Sequence, residues 1–590
     1  MLKTDKQEKL IAQLLKDTVI VFAMSESTVM LGNLIDGILI SKFLGTDAIA
    51  AFGLTLPYQK FTVMLPIIIA LGMQVLCSKS LGAGDLREAN RIFSLAATVT
   101  FGLGVLMTAG TFLCTQPILD LLGAEEGLGN IAGMTADYLR AYSLSLPAMA
   151  LGAVFMPLMQ LDCDRQRTVV AITALSVCNV ICDAISIFVF EGGMWGIGIA
   201  TTVSYFLELA ILSMHFLKPE ANFAYMPKEI SLKFLGEMLL IGLPIIFGRA
   251  AAILQKGFFN RMAIFLAGGV GMAAYAVIGN FASLLYVIPK SFGSATQMIS
   301  GILIGEQDRN SILRLVKIAL KYSLIISLAT AVAVFWAAPL IADVYISDDP
   351  TVNQMVVEAI QLFIAFLPIS IIGEVFQYFY MAYGRFKLTS ALLVASNIGF
   401  SVPIVLLLKP HFGIEALWLA FPLVFAAFLL TIFFITCRHC GRITFRLEDY
   451  LLLPDDFGAA EDRQLDMTVT SKAEVLGLSE RTQTFCESQG IDTRRSMFAG
   501  ICIEEMAGNI VDYGFGDGKK HFVDVRVIVG GERVIVRIRD DCRPFDPKKQ
   551  VELYNSDDPT AHIGIRLCRK IATEFNYINV LKLNNLIIKI

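Results

Sequence analysis

The sequence predicts an all-α polytopic membrane protein, with about twelve transmembrane helices in two parallel six-helix repeats, followed by a soluble two-layer α/β sandwich. Three observations support this fold class. Of the 590 residues, 55% are hydrophobic and only 17% are charged, which excludes both an ordinary soluble enzyme and a disordered chain. Before residue 438 the apolar residues form long runs, and the pattern of these runs repeats once. From residue 438 the charge density is that of a soluble protein.

The long apolar runs are the predicted membrane helices. Each covers roughly 20 residues, the length that a helix needs to cross about 30 Å of hydrocarbon. The runs show no period-two alternation, which excludes the strands of a membrane barrel. We predict six segments along the chain. They are an N-terminal segment (1–17), a first six-helix half (18–217), an inter-half loop (218–237), a second six-helix half (238–437), a linker (438–466) and a soluble domain (467–590).

The charges of the short loops predict how the chain is oriented in the lipid bilayer. Loops rich in Lys and Arg, such as those with Arg87, Arg167 and Lys228, alternate with acidic loops such as those with Asp120 and Asp348. The positive-inside rule therefore places both termini in the cytoplasm of a bacterial-type inner membrane. The eleven Cys have no regular spacing, which indicates reduced thiols, and the net charge of −4 gives no indication of nucleic-acid binding.

An internal repeat relates the two halves. Four residues of one segment recur 223 positions later in another, the pairs being Pro66 and Pro289, Gln74 and Gln297, Gly82 and Gly305, and Asp85 and Asp308. Parallel repeats of this kind are typical of carriers whose central cavity lies between the halves. The alternative, chance similarity among apolar helices, leaves the constant offset unexplained.

Polar side chains inside the first half predict a cation site. Asp36 lies in the first span, Asn179 and Asp183 lie one helical turn apart in the fifth, and Thr202 lies in the sixth. A charged group at the bilayer centre costs about 2.5–3.5 kcal/mol, so these acids must face a cavity or a partner. A polar pocket for H⁺ or Na⁺ is one reading, and hydrogen bonding between helices is the alternative.

The second half contains ionisable groups at similar depth. Glu374 lies in the tenth span and Lys256 in the seventh, where Arg249 and Arg261 add further positive charge. An ion pair between Lys256 and Glu374 would be a structural contact, a substrate site or a gate. We favour the structural interpretation, because long basic side chains also extend towards the membrane surface.

Together, these features resemble the multidrug and toxic compound extrusion (MATE) family over residues 10–440. In the branch of that family with its cation site in the N-terminal half, the pocket residues match Asp36, Asn179 and Asp183, with Thr202 as a further member. The resemblance implies that inward H⁺ or Na⁺ drives the export of amphipathic, often cationic, compounds of the multidrug type. The basic residues of the seventh span depart from what a simple cationic substrate requires.

The soluble domain carries three short motifs. Glu505 and Asn509 are one helical turn apart, and a carboxylate with an amide can orient a nucleophile and hold Mg²⁺. Asp540 follows a predicted strand, where its carboxylate can accept a hydrogen bond from an adenine amino group. Gly564 begins a predicted helix, whose N-terminus suits phosphate oxygens.

In order and spacing, these motifs resemble the GHKL (histidine-kinase/gyrase-type) ATPases, specifically the anti-sigma-factor serine-kinase branch, over residues 467–590. The resemblance implies that the domain binds ATP with Mg²⁺. It implies that Glu505 is the general base and that Asn509 is the Mg²⁺ ligand. The cofactor-binding residues that it implies are Asp540, Asp541, Phe545 and Gly564. It also implies protein serine/threonine kinase activity towards an anti-anti-sigma-like partner. Cys542 and His562 replace family glycines and would crowd the nucleotide.

Two further functions remain open from the sequence. The membrane part would act as a sensor that controls the kinase-like domain, or as a flippase for a lipid-linked precursor. Direct ATP-driven transport is disfavoured, because the sequence contains no G-x-x-x-x-G-K-[ST] motif.

Overall fold

A computed structural model describes residues 2–123, 130–162, 164–218, 221–345, 350–459, 461–516, 521–530, 533–547, 563–580 and 583–590. Asp348 and His562 lie outside these residues. The predicted fold class is confirmed: a helical membrane part is followed by a small antiparallel sheet covered by helices.

In the part of the first half that the structure describes there are eight α-helices, two of which form one bent span. They are α1 (Leu2–Leu39), α2 (Thr46–Gly82), α3 (Leu86–Leu113), α4 (Thr115–Leu122), α5 (Asn130–Ser143), α6 (Leu146–Leu161), α7 (Arg165–Phe188) and α8 (Gly193–Ser213).

The second half repeats this plan. It contains α9 (Lys233–Leu285), α10 (Val287–Gly305), α11 (Arg309–Tyr345), α12 (Pro350–Phe363), α13 (Phe366–Tyr383), α14 (Phe386–Val394), α15 (Ser401–Phe412) and α16 (Glu415–Cys440). In the described residues, eight helical runs are long and apolar enough to cross a membrane, and the bent pairs α5–α6 (47°) and α12–α13 (45°) bring them to ten. The run Lys233–Gly305 is broken at Ala267 and Gly268, where the backbone leaves the helical conformation, and Asp36 of the predicted first span lies in α1.

The backbone reproduces the sequence repeat. Gly45 and Gly268, 223 residues apart, both break a helical run with positive φ (91° and 58°), which glycine adopts without steric cost. Asp85 accepts a hydrogen bond from the Glu88 amide at 2.8 Å, and Asp308 accepts one from the Ser311 amide at 2.9 Å. These equivalent caps start α3 and α11.

The soluble domain begins earlier than the sequence predicts. Strand β1 covers Gln464–Val469, so it starts inside the predicted linker. The rest of that linker is docked on the membrane part: helix α17 (Leu447–Tyr450) precedes three buried leucines, and the Tyr380 hydroxyl donates to the Tyr450 carbonyl oxygen at 2.7 Å.

Among the described residues of the soluble domain, five antiparallel strands form a sheet in the order β1-β2-β3-β5-β4. The remaining elements are α18 (Lys472–Ser488), α19 (Thr493–Asn509), β2 (Val523–Gly530), β3 (Arg533–Asp540), α20 (Ile563–Ile571), β4 (Glu574–Val580) and β5 (Leu583–Lys589). The helices pack on one sheet face over a core that includes Val525, Val536 and Ile588. The other face lies on the membrane part, where Ile578 and Val580 join its core.

Candidate functional site

A cavity of about 240 Å³ lies in the first half at the predicted cation site. Asp36 and Asn179 line it, as the sequence predicts. Other lining residues, among them Gln59, Tyr138 and Tyr205, were not singled out from the sequence. The Gln59 amide donates to the Tyr138 hydroxyl at 3.2 Å. A polar residue in an apolar span is the signal that could have identified Gln59.

The two acids of the first half meet in this region. Helices α1 and α7 pack together and place the carboxyl groups of Asp36 and Asp183 next to each other. Asp36 is 7% exposed and Asp183 is fully buried. Among the described residues, three of their four carboxyl oxygens have no hydrogen-bond partner, and the Asn179 amide nitrogen is also unpaired. Buried carboxyl groups without donors are stable only with a proton or a bound cation, so these residues fit H⁺ or Na⁺.

The threonine of the sixth span is not where the sequence analysis expected it. The Thr202 hydroxyl donates to the Ala141 carbonyl oxygen at 2.8 Å, and Thr202 is not among the cavity residues. Its neighbour Thr201 lines the cavity instead. Adjacent helical residues differ by about 100° in direction, so one position decides which hydroxyl faces the pocket.

The expected ion pair of the second half is not formed. Glu374 is buried and accepts a hydrogen bond from the Tyr286 hydroxyl, while Lys256 is exposed. A different pair joins the halves, with Lys290 Nζ 2.6 Å from Glu26 Oε1. Of the basic residues in the seventh span, Arg249 lines the first-half cavity, so positive charge reaches this cavity from the second half.

A larger cavity, of about 810 Å³, lies between the helices and the sheet of the soluble domain. Most of the residues that the sequence assigns to a nucleotide line it, namely Glu505, Asn509, Asp540, Phe545 and Gly564. Cys542 lines it as well, with its sulfur against Gly514, and Tyr577 and Asn584 add polar groups that the sequence analysis did not identify. A pocket of this size can hold a nucleotide.

Asp540 is the centre of a polar network at one end of this cavity. Its Oδ1 accepts from the Asn584 side-chain amide at 2.7 Å and from the Cys542 backbone amide at 2.9 Å. The Tyr577 hydroxyl donates to Asn584 Oδ1 at 2.7 Å and accepts from the Phe545 amide at 3.0 Å. Burial raises the pKa of Asp540 above its ordinary value, and the hydrogen bonds from Asn584 and Cys542 offset only part of that rise.

Glu505 and Gly564 are in direct contact. A Cβ atom on Gly564 would lie 1.8 Å from Glu505 Oε2, so any other residue would displace the carboxylate. Asn509 follows on the same face at the end of α19, where the helix widens into a π-helical turn, Ile510–Gly514. A carboxylate, an amide and a helix start are therefore brought to one wall of the cavity.

Asp541 departs from its expected position. It is not among the cavity residues, and its Oδ1 lies 3.1 Å from His521 Nδ1 and accepts from the Phe522 amide at 3.3 Å. Successive strand residues point to opposite faces, and this alternation carries past the end of β3. The structure therefore assigns the cavity to Asp540 alone of the two.

Two family models match this chain, one over each of its two parts. The MatE family model matches residues 22–185 and 244–407, and a histidine kinase-like ATPase domain matches residues 470–590. The probable multidrug resistance protein YoeA of Bacillus subtilis is 21% identical over 420 residues, which is 68% of this chain and 88% of YoeA. The multidrug export protein MepA of Staphylococcus saprophyticus is 28% identical over 196 residues, or 32% of this chain and 43% of MepA.

Solved structures share the fold of the membrane part. An outward-facing multidrug resistance MATE family transporter of the MOP superfamily aligns with a TM-score of 0.66 at 19% identity, covering 72% of this chain and 96% of its own. The Vibrio cholerae MATE transporter VcmN aligns with a TM-score of 0.65 at 21% identity, covering 72% and 97%.

Proposed function

The chain belongs to the MatE family of multi-pass membrane transporters, and from that premise we propose that it is a cation-coupled antiporter that exports amphipathic compounds. The observation that carries the proposal is the pair of buried carboxyl groups, Asp36 and Asp183, three of whose four oxygens have no hydrogen-bond partner among the described residues. H⁺ or Na⁺ is the coupling ion, and Asn179 supplies a further oxygen.

The geometry supports coupling in the following way. With neither proton nor metal ion, two adjacent carboxylates repel each other where, in the described part of the chain, three of their four oxygens have no hydrogen-bond partner. Occupancy by H⁺ or Na⁺ removes that repulsion and allows α1 and α7 to pack closely. The ion thus changes the relative energies of two helix arrangements, which is what a carrier requires to exchange one solute for another.

We also propose that the soluble domain lies in the cytoplasm. Basic residues of the short loops lie on the side of the membrane part that carries this domain. Arg385 donates to the Leu452 carbonyl oxygen at 2.7 Å, and Arg314 lines a groove together with Arg526 of the sheet. Because basic loops stay inside, this side faces the cytoplasm and its ATP.

The soluble domain is proposed to bind ATP with Mg²⁺ and to regulate the transporter. Asp540, Asn509 and Glu505 all line the cavity. In this proposal Asp540 accepts a hydrogen bond from the adenine amino group, Asn509 holds Mg²⁺, and Glu505 acts as the base on an attacking hydroxyl. When bound, Mg²⁺ would neutralise phosphate charge. Kinase activity, and an anti-anti-sigma-like partner, stay predictions, as do the sensor and flippase alternatives.

The transport proposal is tested in proteoliposomes that contain the full chain. Asp36→Asn and Asp183→Asn should each reduce gradient-driven substrate transport to the background rate, because an amide can neither take up a proton nor neutralise Na⁺. Substrate binding should persist. Asp47→Asn, an exposed acid in the first turn of α2, is the matched control and should transport normally. Normal transport by both site variants would remove the assigned cation site.

A further inference from the structure

We propose that the soluble domain is a clamp on the membrane part. The sheet face that carries no helices bridges the two halves and holds them closed on the cytoplasmic side. A ligand bound in the cavity on the other face of the sheet controls how strongly the two halves are held together. The bridging of the two halves is inferred from contacts within the chain, whereas the side of the membrane and the presence of a ligand rest on the proposed function.

The sheet covers two loops that the internal repeat relates. Residues 83–85 connect α2 to α3, and residues 306–308 make the equivalent connection from α10 to α11. A Cβ atom on Gly84 would lie 3.1 Å from Ile587 Cδ1 of β5, which shows how closely the sheet approaches the first loop. The second loop meets β2, β3 and β5 through its two acids, Glu306 and Asp308.

The contacts with the second loop are charged and buried. Glu306 Oε2 lies 3.3 Å from Arg537 Nη1 and also accepts from Arg539, while Oε1 accepts from the Asn585 amide at 3.0 Å. Arg526 Nη1 lies 2.7 Å from Asp308 Oδ2. The Glu306 and Asp308 side chains are only 2% and 3% exposed, so losing the arginines would leave uncompensated buried charge.

The surroundings of Asp308 agree with a permanent ion pair. Burial alone would favour the neutral acid, but Arg526 and Arg539 outweigh it and hold the pKa of Asp308 well below its ordinary value. Because the pKa is lowered on docking, this contribution is complete at neutral pH and is lost only as the pH falls through the acidic range.

The same sheet face also contacts the first half. The Asn222 side-chain amide, in the inter-half loop, donates to the Asn579 carbonyl oxygen of β4 at 2.8 Å, and the Asn222 backbone amide donates to Asp162 of the first half at 3.0 Å. Ile578 and Val580 pack in one apolar cluster with Ile11 and Leu15 of α1. One rigid sheet is therefore attached to both halves.

Beneath the sheet, the halves touch through their backbones. A Cβ atom on Gly82 would lie 2.0 Å from the Ile302 carbonyl oxygen, and one on Gly305 would lie 2.0 Å from the Lys79 carbonyl oxygen. These two contacts are equivalent under the repeat. Opening the transporter on this side must separate α2 from α10, and a sheet bound to both prevents that separation.

Strand alternation connects the clamp to the cavity. Arg539 and Asn585 are paired across β3 and β5 and face Glu306, while the next pair, Asp540 and Asn584, faces the cavity. A ligand that moves Asp540 or Asn584 therefore acts on strands that also hold the second loop.

Hydrogen–deuterium exchange of the full chain in lipid nanodiscs tests the clamp without nucleotide. In the Arg537→Gln/Arg539→Gln double variant, exchange in residues 78–90 and 299–312 should accelerate by about tenfold or more, because the loops lose their cover. Arg533→Gln, an exposed arginine of the same strand, should leave both segments unchanged. Unchanged exchange in the double variant, with the strands of its sheet still protected, would overturn the proposal.

A second variant covers the case in which the double variant fails to fold. Asp308→Asn keeps a side chain that can cap α11 but removes the charge that pairs with Arg526. Exchange in residues 299–312 should again accelerate, and no change would count against the clamp. This result is independent of transport and of nucleotide.

Addition of ATP with Mg²⁺ tests the influence of the cavity. Calorimetry on the same full-length sample first establishes whether ATP binds. If it binds, exchange in residues 299–312 should change in the parent protein but not in the double variant, and no change in the parent would refute the link between cavity and clamp. Absence of ATP binding would refute the proposed nucleotide site and, with it, ATP as the controlling ligand, while the clamp result would stand.

Discussion

At the scale of single residues, neighbours decide what an acid can do. Asp540 and Asp541 are adjacent in sequence, yet Asp540 lies at the cavity with Asn584, whereas Asp541 lies beside His521. Of these two carboxyl groups, that of Asp540 is the one that could accept a hydrogen bond from a ligand in the cavity. Because successive side chains of a strand point to opposite faces, two adjacent aspartates have different surroundings.

Asp540→Ala should weaken ATP binding by about ten- to hundredfold, the effect of losing one hydrogen bond to a charged group. Asp541→Ala, one residue away, should change the affinity little, because its carboxylate is not at the cavity. Calorimetry on the full chain with Mg²⁺ measures both. Equal losses in the two variants would contradict the placement of the adenine group at Asp540.

The raised pKa of Asp540 predicts how binding depends on pH. The ionised carboxylate is the stronger acceptor, so ATP affinity should fall as the pH is lowered through the pKa of this group. Because burial raises that pKa, the fall should begin at a higher pH than for an ordinary aspartate. Titrations of ATP binding from neutral pH into the acidic range would detect it, with Asp540→Asn as the reference that keeps the titration of the ATP phosphates but lacks that of the carboxyl group.

At the scale of elements, close helix packing depends on residues without side chains. Helices α2 and α10 approach until Gly82 and Gly305 touch the opposite backbone, as described above. The sequence repeat indicates that both positions matter, but it does not show what they contact. Both contacts close the end of the membrane part that carries the soluble domain.

Gly305→Ala should destabilise the protein by about 1–3 kcal/mol, the usual effect of forcing an extra carbon into a packed interface. Thermal unfolding of the purified full chain measures this effect. Gly279→Ala is the matched control in the same half, since a Cβ there meets no atom within 4 Å. A Gly305→Ala protein that unfolds at or above the parent temperature would show that α2 and α10 are not held in this contact.

At the scale of the whole molecule, the soluble domain marks one side of the membrane. Helix α3 starts beside the sheet at Leu86 and ends at Leu113, and its 28 residues are long enough to cross the bilayer. Cys114 therefore lies on the opposite side, and it is exposed. Cys486 of the soluble domain is buried and would not report on orientation.

In intact cells, Cys114 should react with a membrane-impermeant thiol reagent, because the proposed orientation places it outside. Cys114→Ser should remove that labelling. Labelling of Cys114 only after the membrane is opened would reverse the proposed orientation, and with it the access of the soluble domain to ATP.

The sequence by itself determined the features that depend on local periodicity. Long apolar runs predicted the helices, a constant offset predicted the two halves, and helical spacing placed Asn179 with Asp183 and Glu505 with Asn509. These features follow from neighbours within one or two turns, where chain geometry leaves little choice.

Tertiary structure alone decided which groups meet across the fold. It selected Thr201 over Thr202 at the cavity, paired Lys290 with Glu26 in place of Lys256 with Glu374, and placed the arginines of β2 and β3 on Glu306 and Asp308. Glu306 and Arg537 are 231 residues apart in the chain. Such contacts depend on how whole helices and a sheet are oriented, and no local pattern records that orientation.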